Sequence, residues 1–179
     1  MLSLDGEIKT LFETDRLGIF TLSPNGGAIL AADAQSESPG SPVKSVDILA
    51  LDGSVMHTFG AFTNHTASIY PSVWSPDGSM VAFANLRRVY VAQSNGAGLP
   101  DGVAGIPPEA REVYAASDEF VQPYILSLGF SKDNKYLLMD AYDGVPHFAV
   151  VTLDTGQSSP LEITGMTDIE QAGSFSWRQ

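Results

Sequence analysis

The sequence contains no cysteine. That absence excludes a disulfide framework, a thiolate metal site and a cysteine nucleophile, and it leaves the redox compartment open. Positive charge is scarce as well: nine Lys and Arg stand against 21 Asp and Glu, a formal charge of −12. A surface of that sign repels phosphate backbones and anionic lipid headgroups, so neither nucleic acid nor a membrane surface is an expected partner. The acidity serves solubility, or it matches a basic partner. No stretch approaches the roughly 18 consecutive apolar residues of a membrane span. Met1-Leu2-Ser3-Leu4-Asp5-Gly6-Glu7 has neither the basic region nor the apolar core of a signal peptide.

Marks of catalysis are equally thin. The three histidines, His57, His65 and His147, lack a paired spacing that would bind zinc, and no Asp/Asn ladder follows the calcium-loop pattern. No cofactor or metal is expected. Gly129-Phe130-Ser131-Lys132-Asp133 departs from the nucleophile elbow at its last residue and falls on a hairpin, where that chemistry needs a strand-to-helix turn. Ser41-Pro42-Val43-Lys44 matches Ser-x-x-Lys by letter, but a proline-containing loop does not form the helix start that sets Lys beside Ser. No catalytic residue is assigned.

What the chain has in plenty is turns, with 17 Gly and 11 Pro, and they recur in order. Val73-Trp74-Ser75-Pro76-Asp77-Gly78-Ser79-Met80-Val81-Ala82-Phe83 reads as a strand, a tight turn and a second strand without polar alternation. Pro76 presets φ for the first corner, Asp77 bonds back to nearby backbone, and Gly78 accepts a positive φ. Thr21-Leu22-Ser23-Pro24-Asn25-Gly26-Gly27-Ala28-Ile29-Leu30 is a second copy, and Gly129-Phe130-Ser131-Lys132-Asp133-Asn134-Lys135-Tyr136-Leu137-Leu138 a third. The third has neither Pro nor Gly in its turn, so Asn134 must adopt the left-handed conformation. The apolar runs that follow, Ala28 to Ala32, Met80 to Ala84 and Tyr136 to Met139, suit strands covered on both faces.

A second hairpin follows each copy. Asp47 to Met56 reads as strand, two-residue Asp52-Gly53 turn and strand, with related pieces at Ser3 to Ile8, Val91 to Gly96 and Val151 to Gly156. Each repeat therefore contains four antiparallel strands, here a to d. Ser23, Ser75 and Ser131 are 52 and 56 residues apart, and Trp177 aligns with Trp74 to suggest a fourth start. Four-stranded units at this period are the signature of β-propeller blades.

Ser75-Pro76-Asp77-Gly78 followed by an apolar strand, then a strand ending in Asp-Gly, resembles the TolB-like, WD-repeat-like β-propeller repeat over nearly the whole chain. The resemblance implies an all-β fold. About three complete blades are expected, at about 17–60, 69–116 and 123–165, with an insertion in the c–d hairpin of the second at 97–109. A partial blade shared by the termini, 1–13 plus 173–178, lacks strand b and leaves the ring incomplete. The implied function is a noncatalytic scaffold for a protein or peptide partner, within a larger ring or assembly, with another copy completing the propeller, or with the chain closing by itself as a four-bladed ring that has one three-stranded blade. The alternative is the accessory propeller of a larger hydrolase of the prolyl-oligopeptidase type, or of a polysaccharide lyase. Family members are often periplasmic or secreted, which implies that compartment if the N-terminus is truncated and the cytoplasm otherwise.

Function on such a scaffold resides in loops. The b–c connections are a Ser- and Pro-rich stretch from Asp33 to Lys44, a short turn bearing the basic pair Arg87-Arg88, and Asp140-Ala141-Tyr142-Asp143-Gly144-Val145-Pro146-His147. Arg87 and Arg88 could grip a carboxylate, form a solvated edge, or make an ion pair to a neighbouring loop. Asp140, Tyr142, Asp143 and His147 gather acids, an aromatic ring and an imidazole, as a partner-binding cluster or as a hydrophilic turn.

Overall fold

The computed structural model describes residues 10, 12–13, 18–33, 44–62, 69–85, 88–96, 110–115, 124–142 and 146–161. These form twelve strands and no helix. The first sheet comprises β1 (Gly18–Leu22), β2 (Ala28–Asp33), β3 (Lys44–Ala50) and β4 (Val55–Phe62). The second contains β5 (Ile69–Trp74), β6 (Met80–Asn85), β7 (Arg88–Gln93) and β8 (Ala110–Ala115). The third has β9 (Tyr124–Phe130), β10 (Tyr136–Tyr142), β11 (Pro146–Thr152) and β12 (Ser158–Leu161). Every pairing is antiparallel between strands consecutive in sequence, so each sheet is a simple meander.

One device starts all three sheets. The Ser75 hydroxyl, fully buried, donates to Asp77 Oδ1 at 2.7 Å and accepts from the Met80 amide at 2.9 Å. Its backbone amide donates to Met80 O, and its carbonyl accepts from Gly78 N, both at 2.9 Å. Ser23 repeats this with Asn25 (2.8 Å) and Ala28 N (2.9 Å), and Ser131 with Asp133 (2.7 Å) and Tyr136 N (3.0 Å). The residue three after each serine has positive φ: 71° at Gly26, 73° at Gly78 and 58° at Asn134. Asn134 is thus left-handed, as its sequence position requires.

The turn aims each second strand into the interior. Val81, Ala82, Phe83 and Ala84 of β6 are fully buried, with one face on the first sheet and the other on the third. Leu30, Ala32, Val46, Ile48 and Phe59 meet Trp74, Val81 and Phe83 in one core. Ala82, Ala84, Val89 and Val91 meet Leu128, Phe130, Leu137 and Met139 in the other. Small residues on one sheet oppose large ones on the next, the interdigitation that close packing requires. The Trp74 indole donates to Thr21 O at 2.9 Å, tying the second sheet to the first. The first strands β1, β5 and β9 approach one another at the sheet junctions, and the described sheets do not close into a ring.

The turns also stand side by side. The Asn134 side chain is near enough to Asp77 to affect its carboxyl, and Pro24 lies 3.7 Å from the position a Cβ on Gly78 would occupy. Hydrogen bonds from Ser79 and Ser75 hold the Asp77 carboxyl far below the usual carboxylate range, and Asn134 adds to them.

Two hairpins differ from the sequence reading. The Asp52-Gly53 connection is a three-residue loop, Leu51 to Gly53, because Ala50 N donates to Ser54 O (2.8 Å) and Gly53 N to Ala50 O (3.0 Å). Gly53, at φ 85°, supplies the bulge that keeps the strand twist matched. The Asp140 to His147 segment is mostly strand: Asp140 pairs with Phe148, Ala141 with His147 and Tyr142 with Pro146. The insertion at 97–109, the segment 34–43 and the terminal strands at 1–9 and 173–178 lie outside the described residues.

Candidate functional site

Arg88 opens β7 at the b–c end of the second sheet. Its Nη1 lies 2.6 Å from Glu112 Oε2 on β8, within the same sheet. The pair sits over Tyr90, whose ring stacks on Phe83 with centroids 5.7 Å apart. Burial pushes the Tyr90 phenol up and the Glu112 charge pushes it further, while Arg88 opposes both. Arg88 is therefore held in a cross-strand ion pair on an exposed rim, with its partner on the adjacent strand and not on a loop. Arg87 lies outside the described residues.

The third cluster divides. Asp140 is buried inside β10, where the five residues from Leu137 to Ala141 are all buried, so it has no place on a loop surface. Tyr142 ends the same strand and is exposed. His147 belongs to β11, paired with Ala141, and Asp143 lies outside the described residues. Register separates the cluster because b and c extend further than turn composition suggests.

A groove that sequence reading missed lies close to Arg88. It is an open depression of about 410 Å³ between edge strand β8 and the turn entering β12, lined by Glu112, Val113, Tyr114, Thr155, Gly156 and Ser158. Two contacts fix its walls. Arg111 donates to the Leu153 carbonyl, and a Cβ on Gly156 would stand 3.8 Å from Val113 O. The sequence Ala110-Arg111-Glu112-Val113-Tyr114-Ala115 has no alternation that could have marked it: its buried residues, Ala110 and Val113, are three apart and enter the cores on opposite faces of the second sheet. Among the described residues no group of three or more His, Asp or Glu side chains could hold a metal ion. No helix there is long and apolar enough to cross a membrane.

Three solved structures share this arrangement of sheets. One is a protein described as a TolB from Agrobacterium tumefaciens, at TM-score 0.56 and 18% identity, covering 86% of this chain and 48% of that one. The fold is that of a β-propeller. The β-propeller domain of Cps50 (Swd1) from Myceliophteria thermophila has TM-score 0.54 and 10% identity over 81% of this chain and 43% of its own. Hydrazine synthase of Kuenenia stuttgartiensis has TM-score 0.50 and 17% identity over 80% and 42%. At these identities the likeness shows the fold, of the TolB-like and WD-repeat-like kind, and the chain spans less than half the length of each. No family model and no curated protein matches the sequence. The three sheets are blades, and the groove is a notch between the outer strands of the second and third.

Proposed function

We propose that the chain is a noncatalytic propeller scaffold that binds a protein or peptide partner and forms part of a larger ring or assembly. The observation that carries this is the groove beside β8. An edge strand presents backbone donors and acceptors on its open side, and an extended peptide can add to it with side chains entering flanking pockets. Here Glu112, Tyr114, Thr155 and Ser158 provide a polar pocket in that place, and the net charge favours a basic ligand. The buried turn serines Ser23, Ser75 and Ser131 are occupied in architecture, which leaves recognition to the rim.

The test is affinity capture from the source cell with the chain and with a Tyr114→Ala, Ser158→Ala double variant. A stoichiometric partner recovered by the first and lost by the second is expected. Turnover by the purified chain that a substitution of groove residues abolishes would defeat the noncatalytic reading. That outcome would favour the second one, an accessory propeller of an enzyme, to which the likeness to hydrazine synthase gives some support.

A further inference from the structure

The three serine turns place an acid or its amide at the same position: Asp77 and Asp133 in the second and third, Asn25 in the first. Only the first turn joins Asn to Gly. In that pair a side-chain amide and the next backbone nitrogen can react with each other, because glycine puts no side chain in the way. Asn25 is exposed, and nothing lies within 4 Å of the position a Cβ on Gly26 would occupy, so the site is open to water. Water is the only co-reactant needed. Gly26 N attacks Asn25 Cγ, the Cγ–Nδ2 bond breaks, and Nδ2 leaves as ammonia with the proton that Gly26 N gives up. Water then opens the five-membered imide: attack at Cγ yields aspartate, and attack at the Asn25 carbonyl carbon yields isoaspartate.

The closed turn blocks the first of these steps. Gly26 N donates to Ser23 O at 2.8 Å, and Asn25 does not have positive φ, so residues 23–26 form a type I turn with Asn25 at its second corner. Closing the imide ring brings Cβ into the plane of the following peptide, which turns ψ by roughly 120° from the value of about 0° held at that corner. The side chain is pinned as well: Asn25 Oδ1 accepts from the Ser23 hydroxyl at 2.8 Å and from the Gly27 amide at 2.9 Å. Ser23 is buried, and its hydroxyl accepts from the Ala28 amide at 2.9 Å. Asn25 must therefore give up both bonds to its Oδ1, and Gly26 its bond to Ser23 O, before Cγ and nitrogen can meet.

The aspartate product, by contrast, fits the closed turn. Asp77 Oδ1 accepts from the Ser75 hydroxyl at 2.7 Å and the Ser79 amide at 2.9 Å, and Asp133 Oδ1 from the Ser131 hydroxyl at 2.7 Å and the Lys135 amide at 3.2 Å. An ionised acceptor strengthens both bonds. Isoaspartate inserts a methylene into the backbone between residues 25 and 26, which takes Gly26 N out of register with Ser23 O. We infer that Asn25 is a deamidation site gated by its own turn: its amide is lost when the turn from Ser23 to Ala28 opens, and the aspartate form closes it again with the bonding of the other two repeats. Each event adds one negative charge to a chain of formal charge −12. The reaction is irreversible, so the site accumulates a record of how often the first sheet has opened at this end.

The test incubates the intact chain and a synthetic peptide of residues 18–33 at mildly alkaline pH. Mass-spectrometric peptide mapping follows ammonia loss at Asn25, and enzymatic methylation of isoaspartate divides the products. Deamidation at Asn25 at least tenfold slower in the chain than in the peptide is expected. Ser23→Ala should raise the rate in the chain at least threefold, whereas Ser131→Ala, which removes the matching hydroxyl from the third sheet, should leave it unchanged. Asn95-Gly96, in a turn whose first residue is Gln93 in place of serine, should keep its rate in both variants. Asn25→Asp, which makes the product directly, should unfold at no lower denaturant concentration than the parent chain at neutral pH. Equal rates in chain and peptide overturn the inference, and that comparison needs no variant to fold. An Asn25 rate unmoved by Ser23→Ala, or raised as much by Ser131→Ala, overturns the gate, and an Asn25→Asp chain that unfolds more readily overturns the account of the product.

Discussion

At the residue scale the most instructive group is the turn serine. Pro76, Asp77 and Gly78 explain why the chain reverses, but Ser75 explains why the reversal is rigid: one hydroxyl bonds both the turn carboxylate and the first amide of the next strand. Ser75→Ala leaves that buried amide without its acceptor, and a cost of about 2 kcal/mol is expected in denaturant unfolding. The Asp77 carboxyl has its folded pKa depressed below the ordinary 3.8. Its contribution is therefore complete above about pH 5 and is lost as pH falls through 4 toward the depressed value. Asp77→Asn should keep the turn, since Asn25 makes the same bonds in the first copy, while flattening the stability profile below pH 4. Glycines are not equivalent either. Gly26→Ala meets open space and should cost about 1 kcal/mol for its positive φ, whereas at Gly96 a Cβ would stand 2.4 Å from the His57 ring, so Gly96→Ala should cost about 3 kcal/mol, read from thermal or chemical unfolding.

At the scale of elements, strand type, order and pairing were legible. Apolar runs of four or five residues after a tight turn mean burial on both sides, and β2, β6 and β10 are buried on both sides. The fourth strand of the second sheet runs Ala110–Ala115, and the first of the third sheet starts at Tyr124. The limits of the third b–c connection were less legible, because Asp140 and Tyr142 have turn-like composition and yet a register that continues the ladder. The junction between elements is where a single substitution should report most clearly. Trp74→Phe keeps the apolar contact with the first sheet but removes the indole donor to Thr21 O. A loss of about 1 kcal/mol is expected in equilibrium unfolding, against about 4 kcal/mol for Trp74→Ala.

At the scale of the whole molecule, stability is graded by how many faces of a sheet are covered. Among the described residues the second sheet is packed on both sides by neighbouring sheets, whereas Phe20 and Leu22 of the first are exposed. Native-state amide exchange should therefore be slowest in β6 and β7 and faster in β1 and β4. The amino-acid sequence by itself determined the repeat, the four-stranded unit and the left-handed turn residue, because these depend on φ preferences and side-chain alternation within a few residues. Tertiary structure alone decided that Arg88 is held by Glu112, that Asp140 is interior, that β8 borders a groove, and that Phe12 packs against Gly53 and Phe20. Those facts depend on register and on contacts between sheets, where residues far apart in sequence meet and no local pattern records the meeting.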